Sequence, residues 1–446
     1  MIGKRNLKLW LTMCSFLLAL VSTAAGATLH VPSGEYPSIQ SAIDAAAVAG
    51  DQIEVAPGTY NEAINFNGKA IRLYSSGGPA VTTIDATGIT APVSVVTCTS
   101  GEGSGTILEG FTITGGSGTP TWLGNFGGGM SNYISSPTVT NCIFSGNQAN
   151  AGAGMANYIW DPTDICNPTV TNCTFSDNTA LGLEGGGGAA GGGMFNGGAN
   201  VVVTNCLFIG NDAEWGGAMW NYTASPTVTN CTFSNNTGGI PGMYNEWDSH
   251  PTVTNCILWG NGLEGNYQIV NVSDSTVAVT YSDVQLGTGE LWFGEGCIDE
   301  DPLFVGGGDY RLQEGSPCID VGNDAAVTVT TDLDGNPRIQ GLCVDMGAFE
   351  ALAATPETML AGLRTYIQQQ VALGNIDAEM EVSLLAKVNA AIAALNRGNP
   401  NDAKVAMNDL KALINQVEAQ TDKKIKPDTA AAIIDRANAI ITALGG

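Results

Sequence analysis

The sequence predicts an all-β domain, a single-stranded parallel β-helix, followed by a small four-helix α module. Three observations carry that prediction. Nearly the same eleven residues appear five times: PTVTNCIFSGN at 137–147, PTVTNCTFSDN at 168–178, VVVTNCLFIGN at 201–211, PTVTNCTFSNN at 226–236 and PTVTNCILWGN at 251–261. A second motif lies between the copies, ending at Met130, Met155, Met194, Met219 and Met243, with an Asn two residues on each time. After residue 355 glycine nearly vanishes, and Ala, Leu and Ile recur at helical spacing. A short unit that repeats at a fixed period cannot bury its apolar face alone; stacking on its neighbours does so.

The elements follow in chain order. Residues 1–27 read as a signal peptide: Lys4, Arg5 and Lys8 precede an apolar core from Leu9 to Val21, and Ala25-Gly26-Ala27 suits cleavage. SIQSAIDAAAVAG at 38–50 is apolar at helical spacing. It stands where the first coil needs a capping helix, because an open sheet edge and an apolar end otherwise face water. The repeat cysteines Cys142, Cys173, Cys206, Cys231 and Cys256 are 31, 33, 25 and 25 residues apart. The basic coil is therefore 25 residues, with insertions around Trp160–Cys166 and in the glycine run 185–193. From Asp51 to about Glu350 this period predicts about 12 coils, or roughly 60 Å at ~4.8 Å per strand.

Side-chain parity places the interior. Val139 alternates with Thr138 and Thr140, so Val139 points inward. Cys142 and Phe144 are apolar on the opposite parity, and one bend at Asn141 reconciles them, since Asn tolerates the left-handed conformation. The pattern predicts inward ladders of Val, Cys and Phe, with a hydrogen-bonded corner ladder of Asn. The β-branched residues, the glycines and the missing 3.6-residue period argue against helix here. Beyond a linker from 351, helices are expected at 356–373, 379–396, 400–419 and 427–444, with Pro356, Pro400 and Pro427 near their starts and Gly374 and Gly398 after two ends. That is a small bundle.

The motifs resemble known families. YPSIQSAIDAAAVAGDQIEVAPGTYNEAI resembles the opening of right-handed parallel β-helix proteins of the pectin-lyase-like class. The Gly-Gly-Met segments and Phe144–Asn147, Phe175–Asn178, Phe208–Asn211 and Phe233–Asn236 resemble the GGA and FxxN repeats of polymorphic outer-membrane proteins. Residues 299–350, within a closing module at 297–350, resemble the choice-of-anchor Q end of bacterial surface β-helices. The segment LLAKVNAAIAALNRGNPNDAKVAMNDLKALINQV resembles the FIMAH module of secreted carbohydrate-active and surface proteins. Together the β resemblances cover residues 28–350 and imply the fold and its right hand. The fold carries lyases, hydrolases, epimerases, adhesins and inert spikes alike, so it implies no single activity.

Charge narrows the partners. The net charge is −26. Residues 28–354 hold 32 acidic residues and only four basic ones, Lys69, Arg72, Arg311 and Arg338. From residue 73 to 310 there is no Lys or Arg. Such a surface repels nucleic acid, anionic lipid and polyuronates that calcium does not bridge. The gap also removes from the central coils the Arg or Lys that uronate lyases of this fold place near the substrate. Beyond the leader, no stretch is long and apolar enough to span a bilayer. The expected location is extracellular or at the cell surface.

Three function readings remain: a glycan-binding or adhesive surface protein, a carbohydrate-active enzyme on a neutral or calcium-bridged polysaccharide, and a structural spacer. The balance leans away from catalysis. If the Met side chains point inward, the next residues point outward, and these include Phe195, Trp220 and Tyr244 on three successive coils. Tyr222 and Trp247 follow in the same turns, with Trp215 and Trp160 nearby. Aromatic ladders of this kind stack on sugar faces or peptides. The competing reading is that the two insertions fold over the strip and bury it. Paired carboxylates for hydrolysis are represented by Asp212 and Glu214, and by Glu246 and Asp248, on different corners of the coil. Asp332, Asp334 and Asn336 form half of a calcium loop, or a turn locked by Arg338. Cys318 and Cys343 form the expected disulfide if any pair does. The helical module is expected to make protein or surface contacts.

Overall fold

The computed structural model describes residues 26–182, 188–262, 267–351, 355–397, 399 and 401–445. Residues 1–25 of the expected leader, part of the glycine run, and Gly398 and Pro400 lie outside the described residues.

Each coil carries three main strands, and successive coils stack them into three long parallel sheets of ten, nine and eight strands. The Thr-Val-Thr strands form the ten-stranded sheet, the Phe strands the nine-stranded one and the Met strands the eight-stranded one. A fourth, four-stranded sheet joins Phe strand to Met strand in the central coils, through Gln148–Ala149, Thr179–Ala180, Asp212–Trp215 and Thr237–Ile240. Register is strict: Met130 pairs with Met155, Met155 with Met194, Met194 with Met219 and Met219 with Met243.

The bend falls at the corner asparagines. Asn141, Asn172, Asn205, Asn230 and Asn255 all have φ between 52 and 54°. Val139, Cys142 and Phe144 are buried as parity requires. The Phe rings lie flat on one another: Phe144–Phe175, Phe175–Phe208 and Phe208–Phe233 are 4.9, 4.7 and 4.7 Å apart at 5, 4 and 1°. That spacing is the inter-strand distance itself. Glycine before Met130, Met155, Met194 and Met243, where Met219 has Ala218, is a matter of room. A Cβ on Gly154 would lie 2.4 Å from the Gly193 carbonyl and 2.9 Å from the Phe175 ring.

The long polar ladders run elsewhere than the corner. Asn147, Asn178, Asn211, Asn236 and Asn261 donate along the stack from Nδ2 to the next Oδ1, the last to Gln268, at 2.6–3.1 Å. A second run joins Asn132, Asn157, Asn196, Asn221, Asn245 and Asn271 at 2.8–2.9 Å. At the corner only Asn205 reaches its neighbour, Asn172, at 3.1 Å among the described residues. A left-handed residue turns its amide out of the interior, where the other two runs sit inside.

The ends differ from the simple count. The capping helix spans Ile39–Ala45, with Ser38 as N-cap, and Ala49–Val55 already belongs to a strand. The longest sheet has ten strands where the period predicts about twelve coils, with a further rung begun by bridges at Phe293 and Ile298. Residues 301–350 leave the stack and fold back along the corner. Asn255 Nδ2 donates to the Asn323 carbonyl (3.0 Å), Gly347 N–H to the Asn255 carbonyl (2.8 Å) and Ala348 N–H to Thr232 Oγ1 (3.0 Å). The corner amides thus receive the closing module.

Four helices follow at Pro356–Ala372, Ala378–Leu395, Asp402–Gln420 and Pro427–Ala443, around their own apolar core. Thr355 and Asp377 cap the first two. Arg436 ties the bundle to the closing module: it donates to the Asp320 carbonyl and lies 4.2 Å from the Tyr366 ring centroid.

Candidate functional site

Outside the Met strands lies a run of touching aromatic rings. Met and the Asn two residues on are interior, so the residue between them points outward. Phe195, Trp220 and Tyr244 occupy that position on adjacent strands. Phe195 and Trp220 are 5.1 Å apart, and Trp220 and Tyr244 6.2 Å. Trp215 reaches Trp220 at 5.7 Å and Tyr222 reaches it at 5.9 Å. The run continues from Phe195 to Phe126 (5.5 Å), and from there to Tyr158 and Trp160. Trp160 meets Trp122 at 5.4 Å, and Tyr158 meets Tyr133 at 5.2 Å.

The strip is covered at some points and open at others. Phe195 and Tyr244 are 7% and 8% exposed. Over Phe195 lies a hairpin, Thr119–Thr121 paired with Gly124–Phe126, which sets the Phe126 ring edge-on to it at 82°. The segment from Tyr158 to Trp160 adds a second covering piece. Exposure is instead concentrated at the outer rings: Trp122 77%, Trp247 54%, Trp160 42% and Tyr222 38%. Trp215 and Trp220 are half-buried between the two groups. The expected flat ladder is therefore an inner layer, and the accessible face belongs to the rings around and above it. Trp122 and Phe126 precede the first copy of the repeat, which does not reach them; their signal is TPTWLGNF, whose Trp122-Leu123 forms the hairpin turn and whose Phe126 ends the second strand.

Carboxylates border this face. Glu246 follows Tyr222 in register and is half-buried. Burial pushes its carboxyl above the usual range, against a hydrogen bond from Trp247. Asp248 is exposed and accepts from His250 Nε2 at 2.9 Å. Asp212 accepts from Thr237 on the four-stranded sheet, where Glu214 is exposed. Asp212 and Glu214 thus lie on the four-stranded sheet, whereas Glu246 ends a Met strand and Asp248 lies in the turn after it.

Two other expectations are corrected. Cys318 and Cys343 are unpaired thiols. Cys318 is buried and donates to Asp283 Oδ2 at 3.2 Å, so it faces the coil. The Asp332–Asn336 turn does not fit calcium. Asp332 is buried, and its carboxylate accepts from the N–H groups of Asp334, Asn336 and Glu350. Asp334 is held by Arg311 at 2.6 Å on both oxygens. The turn is locked by Arg311 rather than Arg338, whose side chain is buried and donates to the Asp345 and Gly347 carbonyls. Among the described residues no group of three His, Cys, Asp or Glu is placed to hold a metal.

Comparison with known proteins agrees with this architecture. Residues 158–284 match the family model described as a right handed beta helix region, and residues 360–442 match the FIMAH domain. The chain thus contains a right-handed β-helix region, seen here as the stacked parallel sheets, and a FIMAH domain, seen as the C-terminal helices. A pectin methylesterase from carrot aligns at 13% identity over 63% of this chain and 90% of its own, with a TM-score of 0.38. A deglycosylated pectin methylesterase from Aspergillus niger aligns at 13% over 63% and 93%, TM-score 0.35. Pectate lyase Pel9A aligns at 15% over 73% and 96%, TM-score 0.35. Likeness at this level carries no site residue across. No curated protein matches the chain. No helix among the described residues is long and apolar enough to cross a membrane.

Proposed function

We propose that this is an exported, extracellular or cell-surface β-helix that binds neutral glycan chains on the aromatic face outside its Met strands. The observation that carries the reading is the exposed set Trp122, Trp160, Tyr222 and Trp247, in which Trp160 meets the buried Tyr158 ring and Trp122, and Tyr222 meets the half-buried Trp220. Aromatic faces supply the broad apolar area that the C–H faces of sugars stack on. Glu246 and Asp248 supply acceptors for hydroxyl groups at the border. The absence of any Lys or Arg from 73 to 310 leaves no cation to hold a uronate or sulfate.

Glycan-array binding by the protein with its leader removed tests this. Binding to neutral polysaccharides, lost on Trp220→Ala, is the expected result. Binding confined to anionic polysaccharides, or unchanged by the substitution, contradicts it. Release of shortened products by the wild type, abolished by Glu246→Gln, would replace binding with hydrolysis. The helical module, with its separate core, is assigned protein or surface contacts, and its deletion leaves glycan binding intact.

A further inference from the structure

At the end of the Met-strand sheet the last strand, Ile269–Asn271, pairs on one side only among the described residues. Beside it opens a cavity of about 470 Å³, lined by Tyr267, Val270, Asn271, Glu290, Leu291 and Trp292, among others. Its volume falls in the range of roughly 300–1,000 Å³ typical of small-ligand sites.

We infer that this cavity is a terminal subsite, which holds the end sugar of the neutral chain lying on the aromatic face. The inference rests on the glycan-binding reading above. Three features point to that occupant. Val270 pairs with Tyr244, so the cavity continues the line Phe195–Trp220–Tyr244 by one rung. Trp292 packs against the coil core and presents an aromatic wall, with Tyr267 55% exposed and Leu291 fully exposed at the rim.

The third feature is the buried amide ladder. It runs one way: each Nδ2 donates to the next Oδ1, from Asn132 to Asn271. Asn271 Oδ1 receives the last bond, at 2.8 Å, and its Nδ2 has no partner among the described residues. A chain of aligned amides polarises its terminal donor. Asn271 is itself among the residues that line the cavity. Glu290, also in the lining, offers an acceptor. A donor, an acceptor and an aromatic wall are what one neutral pyranose requires, and no Lys or Arg lines the cavity to favour an acid.

Calorimetric titration with cello-, xylo-, manno- and galacto-oligosaccharides of two and six units tests the subsite. The expected result is that Trp292→Ala weakens both lengths at least tenfold, whereas Trp220→Ala weakens only the six-unit chains. Leu291→Asp serves as a second variant, since a fully exposed side chain carries no packing. It weakens both lengths as well, whether or not Trp292→Ala folds. If Trp220→Ala weakens the six-unit chains while Leu291→Asp and Trp292→Ala bind like wild type, the subsite is overturned and the aromatic face stands. If the wild type binds no member of the panel, both fall.

Discussion

Two sets of aromatic rings ride on the same coils, one inside and one outside. The interior rings Phe144, Phe175, Phe208 and Phe233 stack within 5° of parallel. The exterior rings around Trp220 are tilted by 32 to 81°. The strand register acts equally on both, so the difference comes from what surrounds them. Inside, Phe175 and Phe208 each have an identical ring above and below, Phe144 and Phe233 have one on one side and Ile113 or Leu258 on the other, and none has room for another angle. Outside, each coil contributes a different residue, and loops from other coils reach over. Repetition builds a scaffold; departure from repetition builds the face proposed to meet a ligand.

Breaking the interior has the largest effect. Phe208→Ala removes a ring with partners on both sides and is expected to cost about 3–5 kcal/mol, measured by chemical denaturation. A cost under about 1 kcal/mol would show that the stack is not close-packed. The polar ladder comes next. Asn211 Nδ2 donates to the Phe175 carbonyl and Asn236, and its Oδ1 accepts from Asn178. Asn211→Ala leaves these buried partners unmet, at an expected cost of about 1–3 kcal/mol.

The closing module responds to pH. Burial pushes the Glu350 carboxyl up to about 9 and that of Asp345 up to about 7. The folded chain therefore holds protons that the unfolded chain has released above about pH 4. Stability from these groups is complete below that point and is lost as pH rises through 7 and 9. The melting temperature is expected to fall between pH 5 and 9, and Glu350→Gln to flatten the slope. A slope unchanged by the substitution would contradict the assignment. The smallest effect on stability belongs outside: Tyr222→Ala changes it by no more than about 0.5 kcal/mol.

The same contrast explains what the sequence made legible. Val139, Cys142, Phe144 and the bend at Asn141 follow from parity and one conformational preference, and all stand where parity puts them. The four helices follow from period, prolines and glycines to within about two residues. The hydrogen-bonded asparagine ladders were expected at the corner and lie inside, because parity does not tell a turned amide from an interior one. The outward position of Trp220 was legible from its register with Met219. Its cover was not, because the Thr119–Phe126 hairpin reaches Phe195 across a separation in sequence that no local pattern encodes. The return of residues 301–350 along the corner is non-local in the same way.

The central claim is that the exterior rings around Trp220 bind neutral glycan while the interior Phe rings only hold the coils together. Calorimetric titration of wild type and Trp220→Ala with a six-unit neutral oligosaccharide that the array identifies, alongside matched melting curves, addresses it most directly. At least a tenfold loss of affinity in a variant that stays folded is the predicted result. Equal affinity in the two proteins would contradict it.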